Sequence, residues 1–434
     1  MIDTPTTTTL RATHADASPM TSRRRAVMLA MLTVVGACSM IDRTILSTLL
    51  EPIKHEFGLK DSQLGLIAGL AFATAHAIVA IPLGRLADRV NRRNLIAVCL
   101  LIWSVMTALC GTAGTFVQLL LARMGVGAGE AGGQAATLSV VSDLYPEKRR
   151  ATAVSVYYLS SPIGVMLAGS VGGVIAAEHG WRAALFVAAV PGALMSVLLP
   201  LLGREPPREA AVRAPAEAAV PFREVLRFIG TQKSLLQLLA ALAVLTFAVS
   251  GLGSFAVSFF VRYHGMSLRT LGPVIGIASG AVGICVLLAS GVTSDKIGQR
   301  DPRRRLWLLA IVIAAVTPIV LASFLVKGSA ALPLYLTNLV LMNIWMGPAL
   351  AMTQSLVPSH MRATVAAFVY VIIGVLGFGL GPMLVGLLSD GLASVAGKDG
   401  LRWSMIFCAA LNFWGVAHLL TASRTLREDL ARVR

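Results

Sequence analysis

Apolar residues along this chain fall in long unbroken blocks, and polar residues gather into short segments between them. About twelve blocks can be marked off, each close to the ~20 residues a helix needs to cross a ~30 Å hydrocarbon layer. The pattern predicts helices over about 26–50, 61–82, 94–113, 116–141, a fifth after Pro146-Glu-Lys-Arg-Arg150-Ala-Thr, then 181–203, 234–261, 270–292, 306–326, 331–355, 363–390 and 402–422. In lipid every backbone amide must be satisfied within the protein, so a helical bundle is expected. A β-barrel would need alternating segments of roughly ten residues, which this chain lacks. Glu51-Pro-Ile-Lys-His-Glu-Phe reads as a turn and Asp61-Ser-Gln as a helix start, since Asp or Ser can accept hydrogen bonds from first-turn amides.

The informative positions are those that break the apolar pattern. Helix 4 carries Arg123-Met-Gly-Val-Gly-Ala-Gly-Glu130, and helix 1 carries Asp42-Arg43. Seven residues are about two helical turns, so Arg123 and Glu130 share a face, at depths where an unpaired charge is costly. The four charges are expected to pair with one another. Protonating a carboxylate would then free an arginine to hold an anion, which makes Asp42 and Glu130 candidates for proton coupling and Arg43, Arg123 and Glu130 candidates for substrate binding. His76 is a further candidate contact, or else a hydrogen-bonded packing histidine. A static bridge between helices 1 and 4 is the plainer reading, but buried ion pairs add little stability by themselves. The interiors of helices 7 to 12 hold no charge, only neutral groups such as Asn338, Asn343, Gln354 and Asn412. One charged wall facing an apolar one suits an amphiphile.

Two motifs recur. Gly84-Arg-Leu-Ala-Asp88-Arg89-Val-Asn-Arg92-Arg93 returns as Gly291-Val-Thr-Ser-Asp295-Lys296-Ile-Gly298, and Pro146-Glu-Lys-Arg-Arg150-Ala-Thr as Pro358-Ser-His-Met-Arg362-Ala-Thr. The similar offsets indicate a duplicated six-helix unit. The expected organisation is a disordered tail over 1–22, a first bundle over 23–203, a linker over 204–232 with a short amphipathic helix on the membrane surface, a second bundle over 233–423, and a tail over 424–434. Gly84 would permit close helix contact, while Asp88, Arg89, Arg92, Arg93, Arg150, Asp295, Lys296 and Arg362 would form a latch for one conformational state. Small residues at Gly164, Ala168, Gly169, Gly172 and Gly173 recur at the spacing that lets helices approach closely.

Composition agrees: 56% of residues are hydrophobic, 13% are charged and the mean hydropathy is +0.77. The net charge of +16 is unevenly placed. With loops assigned alternately to two sides, one side holds 27 Lys and Arg and the other eight, which puts both termini in the cytoplasm. No aromatic-basic module accompanies the charge, so nucleic acid is not an expected partner. The five cysteines (Cys38, Cys99, Cys110, Cys285, Cys408) show no paired or metal-ligand spacing. There is no nucleotide loop, metal cluster or nucleophile-base set. The chain is expected to be no enzyme, to use no cofactor beyond a proton gradient, and to act as a monomer in the bilayer.

The Gly84 motif resembles the signature of the major facilitator superfamily, with Asn91 where a second glycine is common; Asn also tolerates left-handed backbone. That resemblance implies an all-α membrane fold of twelve helices in two pseudo-symmetric bundles, with a binding site near the midplane between them. Over roughly 42–182 the chain further resembles Spinster-like transporters, including bacterial ones: Asp42-Arg43, Pro52-Ile-Lys54 with Phe57, Asp61-Ser-Gln-Leu-Gly65, Arg123 to Glu130-Ala131, and Gly180-Trp181-Arg182. The resemblance implies proton-coupled transport of a lysolipid or sphingosine-1-phosphate-like amphiphile in a bacterial inner membrane, with Asp42, Arg43, Arg123 and Glu130 at the substrate and proton site. Gly132-Gly133 stands where animal members carry Ser-Tyr, and His76 where an aromatic is frequent. Small organic anions or drugs are the alternative cargo; a pH-independent scramblase or a receptor is the alternative class.

Overall fold

The computed structural model describes residues 20–87, 89–206, 222–299 and 301–433, and every regular element among them is helical. Among the described residues nine stretches are long and apolar enough to cross a membrane. Two of these, Thr152–Leu202 and Thr364–Val433, each contain two helices, which meet at Gly180 and Gly397 with φ of +83° and +56°. Only glycine adopts that backbone freely. Dividing them there and adding Phe116–Leu144, whose charges interrupt its hydropathy, gives the twelve expected helices. They are α1 (Ser22–Phe57), α2 (Asp61–Ala87), α3 (Arg92–Thr112), α4 (Phe116–Leu144), α5 (147–179), α6 (181–202), α7 (Lys233–His264), α8 (Leu268–Gly298), α9 (Arg303–Leu325), α10 (Ala331–Ser355), α11 (362–396) and α12 (Gly400–Val433).

Several boundaries differ from expectation for local reasons. Helix α1 runs through the expected turn at Glu51 and stops only at Gly58, whose φ of +63° supplies a left-handed cap. Asn91 is extended rather than left-handed, and its side chain accepts from the Asn94 amide at 3.0 Å, capping α3. The linker helix covers Phe222–Thr231, and its Val225 and Ile229 are buried against the protein. Its apolar face therefore packs on α7 and the start of α11 rather than lying wholly on the membrane surface.

Small residues set how close the helices come. On α5, Gly164 and Gly172 face Met40 and Ile45 of α1, while Gly169 and Gly173 face Gly276 and Gly272 of α8 in the second half. A β-carbon at Gly169 would lie 2.7 Å from the Gly276 Cα, so backbone meets backbone there. The α2–α11 crossing is equally tight: a β-carbon at Gly69 would lie 2.6 Å from the Gly379 carbonyl oxygen. Both helices depart from α geometry at this crossing, with π-turns at Leu66–Leu70 and Ile372–Gly379.

One membrane face also joins the halves through charge. The Asp61 carboxylate accepts from Lys54 at 2.5 Å, from both terminal nitrogens of Arg262 at 2.8 Å, and from the Ser389 hydroxyl at 2.6 Å. Arg262 Nε also donates to Glu51 at 2.9 Å. Helix α2 starts at Asp61 as expected and its Gln63 accepts from the Lys60 amide at 2.9 Å, but neither Asp61 nor Ser62 caps its first turn. Asp61 is the first helical residue, so the amides of Asp61 and Ser62 point beyond the helix end and donate to Asp390 of α11 at 3.0 and 2.8 Å. An anion at a helix N-terminus is favoured electrostatically, and here it comes from the other half of the molecule. On the opposite face, Arg92 pairs with Asp143 and Glu205 within the first half, and Arg427 with Asp301 within the second. The Arg303 amide and then Arg427 hold the Asp301 carboxyl below its usual range.

Removing Arg262 leaves Glu51 and Asp61 buried with less counter-charge, and losing one partner of a buried pair costs about 3–5 kcal/mol. Arg262→Ala should therefore loosen this face. With Cys285 replaced by Ser, a cysteine placed at Ser62 should react with a membrane-impermeant maleimide at least about tenfold faster than in the parent; unchanged labelling would show that this cluster does not hold the halves together.

Candidate functional site

Asp42 and Arg43 are adjacent on α1, so their side chains point about 100° apart. That angle separates the four expected charges. Arg43 shares a face with Ser39, toward α4: its Nε donates to Glu130 Oε1 at 2.6 Å, its Nη2 makes a second contact with the same oxygen, and the Ser39 hydroxyl donates there at 2.7 Å. Asp42 faces α3, where its carboxylate accepts from the Thr107 hydroxyl at 2.9 Å. Arg123, one of the four charges expected to pair with one another, bonds the main chain instead, with its Nη1 donating to the Asp42 carbonyl at 3.0 Å. Asp42, Arg123 and Glu130 are each 1% exposed, whereas the Arg43 side chain keeps 26% of its surface open.

The glycines of the Arg123–Glu130 segment are packing surfaces. Gly125 and Gly129 lie against Met106 and Trp103 of α3, and Gly127 against the backbone of Phe72 on α2. Phe72 is thereby brought into the cluster, with its ring centroid 5.1 Å from the Arg43 guanidinium carbon and 5.5 Å from that of Arg123. His76, one turn along α2, stacks on Phe72 at 5.8 Å and 20°. Glu130 Oε2, Arg123 Nε and His76 Nδ1 are among the polar atoms buried here without a partner. A buried donor or acceptor left open costs about 1–3 kcal/mol, and an anion or a water could satisfy these three.

The sequence motifs divide into those brought together and those kept apart. Asp42, Arg43, Arg123, Glu130 and His76 form one cluster. Among the proposed latch residues, Asp88 lies outside the described residues, Arg89 and Lys296 are exposed, and Asp295 is on α8. Arg92 binds Asp143, Glu205 and Ser139, and Arg93 binds the Gly203 carbonyl, all within the first half. The repeated arginines act alike: Arg150 and Arg362 donate to the Ser142 and Val357 carbonyls just ahead of their own helices. Gly84 makes no close helix contact in this state, since no described atom lies within 4 Å of where its β-carbon would be.

Other residues carried no assigned role in the sequence, and Phe72, Ser39 and Thr107 are first among them. Single uncharged residues in apolar helices give no signal; only Ser39, four residues before Arg43, stood on an identifiable face. Glu51, Arg262, Ser389 and Asp390 were equally silent. Trp181 and Arg182 both bind Glu56, at 2.6 and 2.5 Å, fastening α6 to the end of α1.

Two sets of packed helices with a buried charged cluster in one of them are an arrangement that matches a family of membrane transporters. The model of the Major Facilitator Superfamily matches residues 32–382, and the chain belongs to that family. It is 32% identical over 411 residues to an MFS-type efflux pump of Mycolicibacterium smegmatis, covering 94% of this chain and 95% of that one. It is 25% identical to protein spinster homolog 1 of Homo sapiens, covering 95% of this chain and 83% of the relative. Among solved structures, a bacterial homologue of the human lysosomal transporter Spinster, in an inward-facing and unoccupied conformation, superposes with a TM-score of 0.84. It is 28% identical, and the match covers 94% of this chain and 99% of that one. The chain is thus a Spinster-like transporter of the major facilitator fold.

Because a β-carbon at Gly127 would press on the Phe72 carbonyl, Gly127→Ala must push α2 from α4. It should lower stability by about 1–3 kcal/mol, read as a fall in unfolding temperature, while Gly84→Ala should leave that temperature unchanged.

Proposed function

We propose that this protein is a proton-coupled secondary transporter of an amphiphilic anion, a lysophospholipid or sphingosine-1-phosphate-like lipid. The observation that carries the reading is the Arg43–Glu130 pair, whose carboxylate is buried while the arginine stays partly open, flanked by the open polar atoms of Glu130, Arg123 and His76. Glu130 and an anionic headgroup compete for one guanidinium. A proton on Glu130 hands Arg43 to the headgroup, and departure of the headgroup returns it, because neither charge is stable alone in the membrane interior. Asp42 is the second acid of the cluster, and its main-chain bond ties Arg123 to α1. A lipid cargo is what the resemblance of Asp42-Arg43 and Arg123 to Glu130 to Spinster-like transporters implies, and the fold is that of a bacterial Spinster homologue. The charge asymmetry of the loops supports cytoplasmic termini; on that reading the face joined by Asp61, Arg262 and Asp390 is the outer one. No cofactor other than the proton gradient takes part, and one chain suffices.

A second reading, a carrier of small organic anions or drugs, draws on the likeness to the mycobacterial efflux pump. Purified protein in liposomes should move lysophosphatidic acid in response to a pH gradient. Glu130→Gln should cut gradient-driven transport at least about tenfold. Coupled transport that survives this change removes Glu130 from the proton step. Transport of soluble anions without lysolipids would favour the second reading, and lipid movement indifferent to pH would point to a scramblase.

A further inference from the structure

The two arginines of the cluster come from different helices, carry like charge, and have a single ion-paired carboxylate between them, on Glu130. Something besides that carboxylate must hold them convergent whenever Glu130 is neutral. Both guanidiniums lie over Phe72, with their carbons 5.1 and 5.5 Å from its ring centroid. An aromatic face is negative and attracts cations within about 6 Å, more so away from water, and Phe72 is only 9% exposed. Two local features place it. The π-turn at Leu66–Leu70 turns the residues that follow by roughly 100° relative to an unbroken helix. Gly127 then lets the Phe72 backbone sit directly on α4, between the turns that carry Arg123 and Glu130. His76 stacks on the same ring.

We propose that Phe72 is a positioning residue of the anion site: its ring is the shared platform on which Arg43 and Arg123 lie, and it keeps Arg43 aimed into the site when Glu130 releases it. The ring contributes no hydrogen bond to the ligand. It acts through the two guanidiniums, so its effect falls on the anionic group and not on the apolar tail. This inference rests on the reading of the cluster as an anion site.

The test uses dodecyl phosphate, titrated into the whole purified chain held in dodecyl maltoside, with the unfolding temperature as readout. Phe72→Tyr keeps the aromatic face and Phe72→Leu removes it while leaving the position apolar; if the leucine variant does not fold, Phe72→Met makes the same comparison. Wild type and Phe72→Tyr should bind within about twofold of each other, and Phe72→Leu about tenfold more weakly, which corresponds to about 1.4 kcal/mol. Binding of dodecanol, which has the same tail and no charge, should be equal in all three. In liposomes Phe72→Leu should raise KM for lysophosphatidic acid with little change in kcat. A leucine variant that binds dodecyl phosphate as wild type does, or a tyrosine variant that loses as much as leucine, overturns the role of the ring. A wild-type protein that ignores dodecyl phosphate overturns the anion site itself, and this inference with it.

Discussion

A guanidinium and a carboxylate removed from water must satisfy each other, and in the first half of this chain that requirement falls on Arg43 and Glu130. The rest of the site follows from it. Ser39 and Arg43 share one face of α1 and converge on a single carboxylate oxygen, which leaves the other oxygen of Glu130 open. Because Asp42 is the neighbour of Arg43, it is turned toward α3, and Thr107 rather than an arginine meets its carboxylate. Arg123 is left to bind main chain and to lie over Phe72, with one nitrogen unpaired. A cluster built only for stability would close these valences; this one keeps them open on buried atoms.

The same logic, applied at the membrane surface, joins the halves. Glu51 and Asp61 are as buried as the central charges, and they are balanced from across the interface by Arg262, with Ser389 and Asp390 completing the contact. These bonds are of a kind that water can replace when the face opens, unlike the glycine contacts beneath them, which depend on shape. Gly169 against Gly276 and Gly69 against Gly379 allow backbone approach with no side chains to disengage. A polar rim over a smooth small-residue floor is an interface that can separate at little cost and re-form in one register.

Membership of the Major Facilitator Superfamily fixes the scale of the motion to be expected, one bundle rocking on the other around a central site. Within that frame the first half holds the charge. The second half offers neutral buried groups such as Asn338 and Asn412, whose amides also lack partners. The division is consistent with a cargo that is charged at one end only.

The sequence by itself determined the twelve helices and the membership of the charged cluster, because a charge in an apolar block stands out wherever it is. It also marked Lys54, Trp181 and Arg182 through resemblance, without a role for them, and Asp61 only as a helix start. Only the tertiary structure decided the pairing: Arg123 with a carbonyl instead of a carboxylate, Asp61 with a second half it never neighbours in sequence, and α2 capped by Asp390. Those outcomes depend on the angular position of each residue, which a π-turn at Leu66–Leu70 alters without any mark in the residue pattern. Phe72 shows the limit most clearly. One phenylalanine in an apolar helix is indistinguishable from packing until two arginines from other helices are found over its ring.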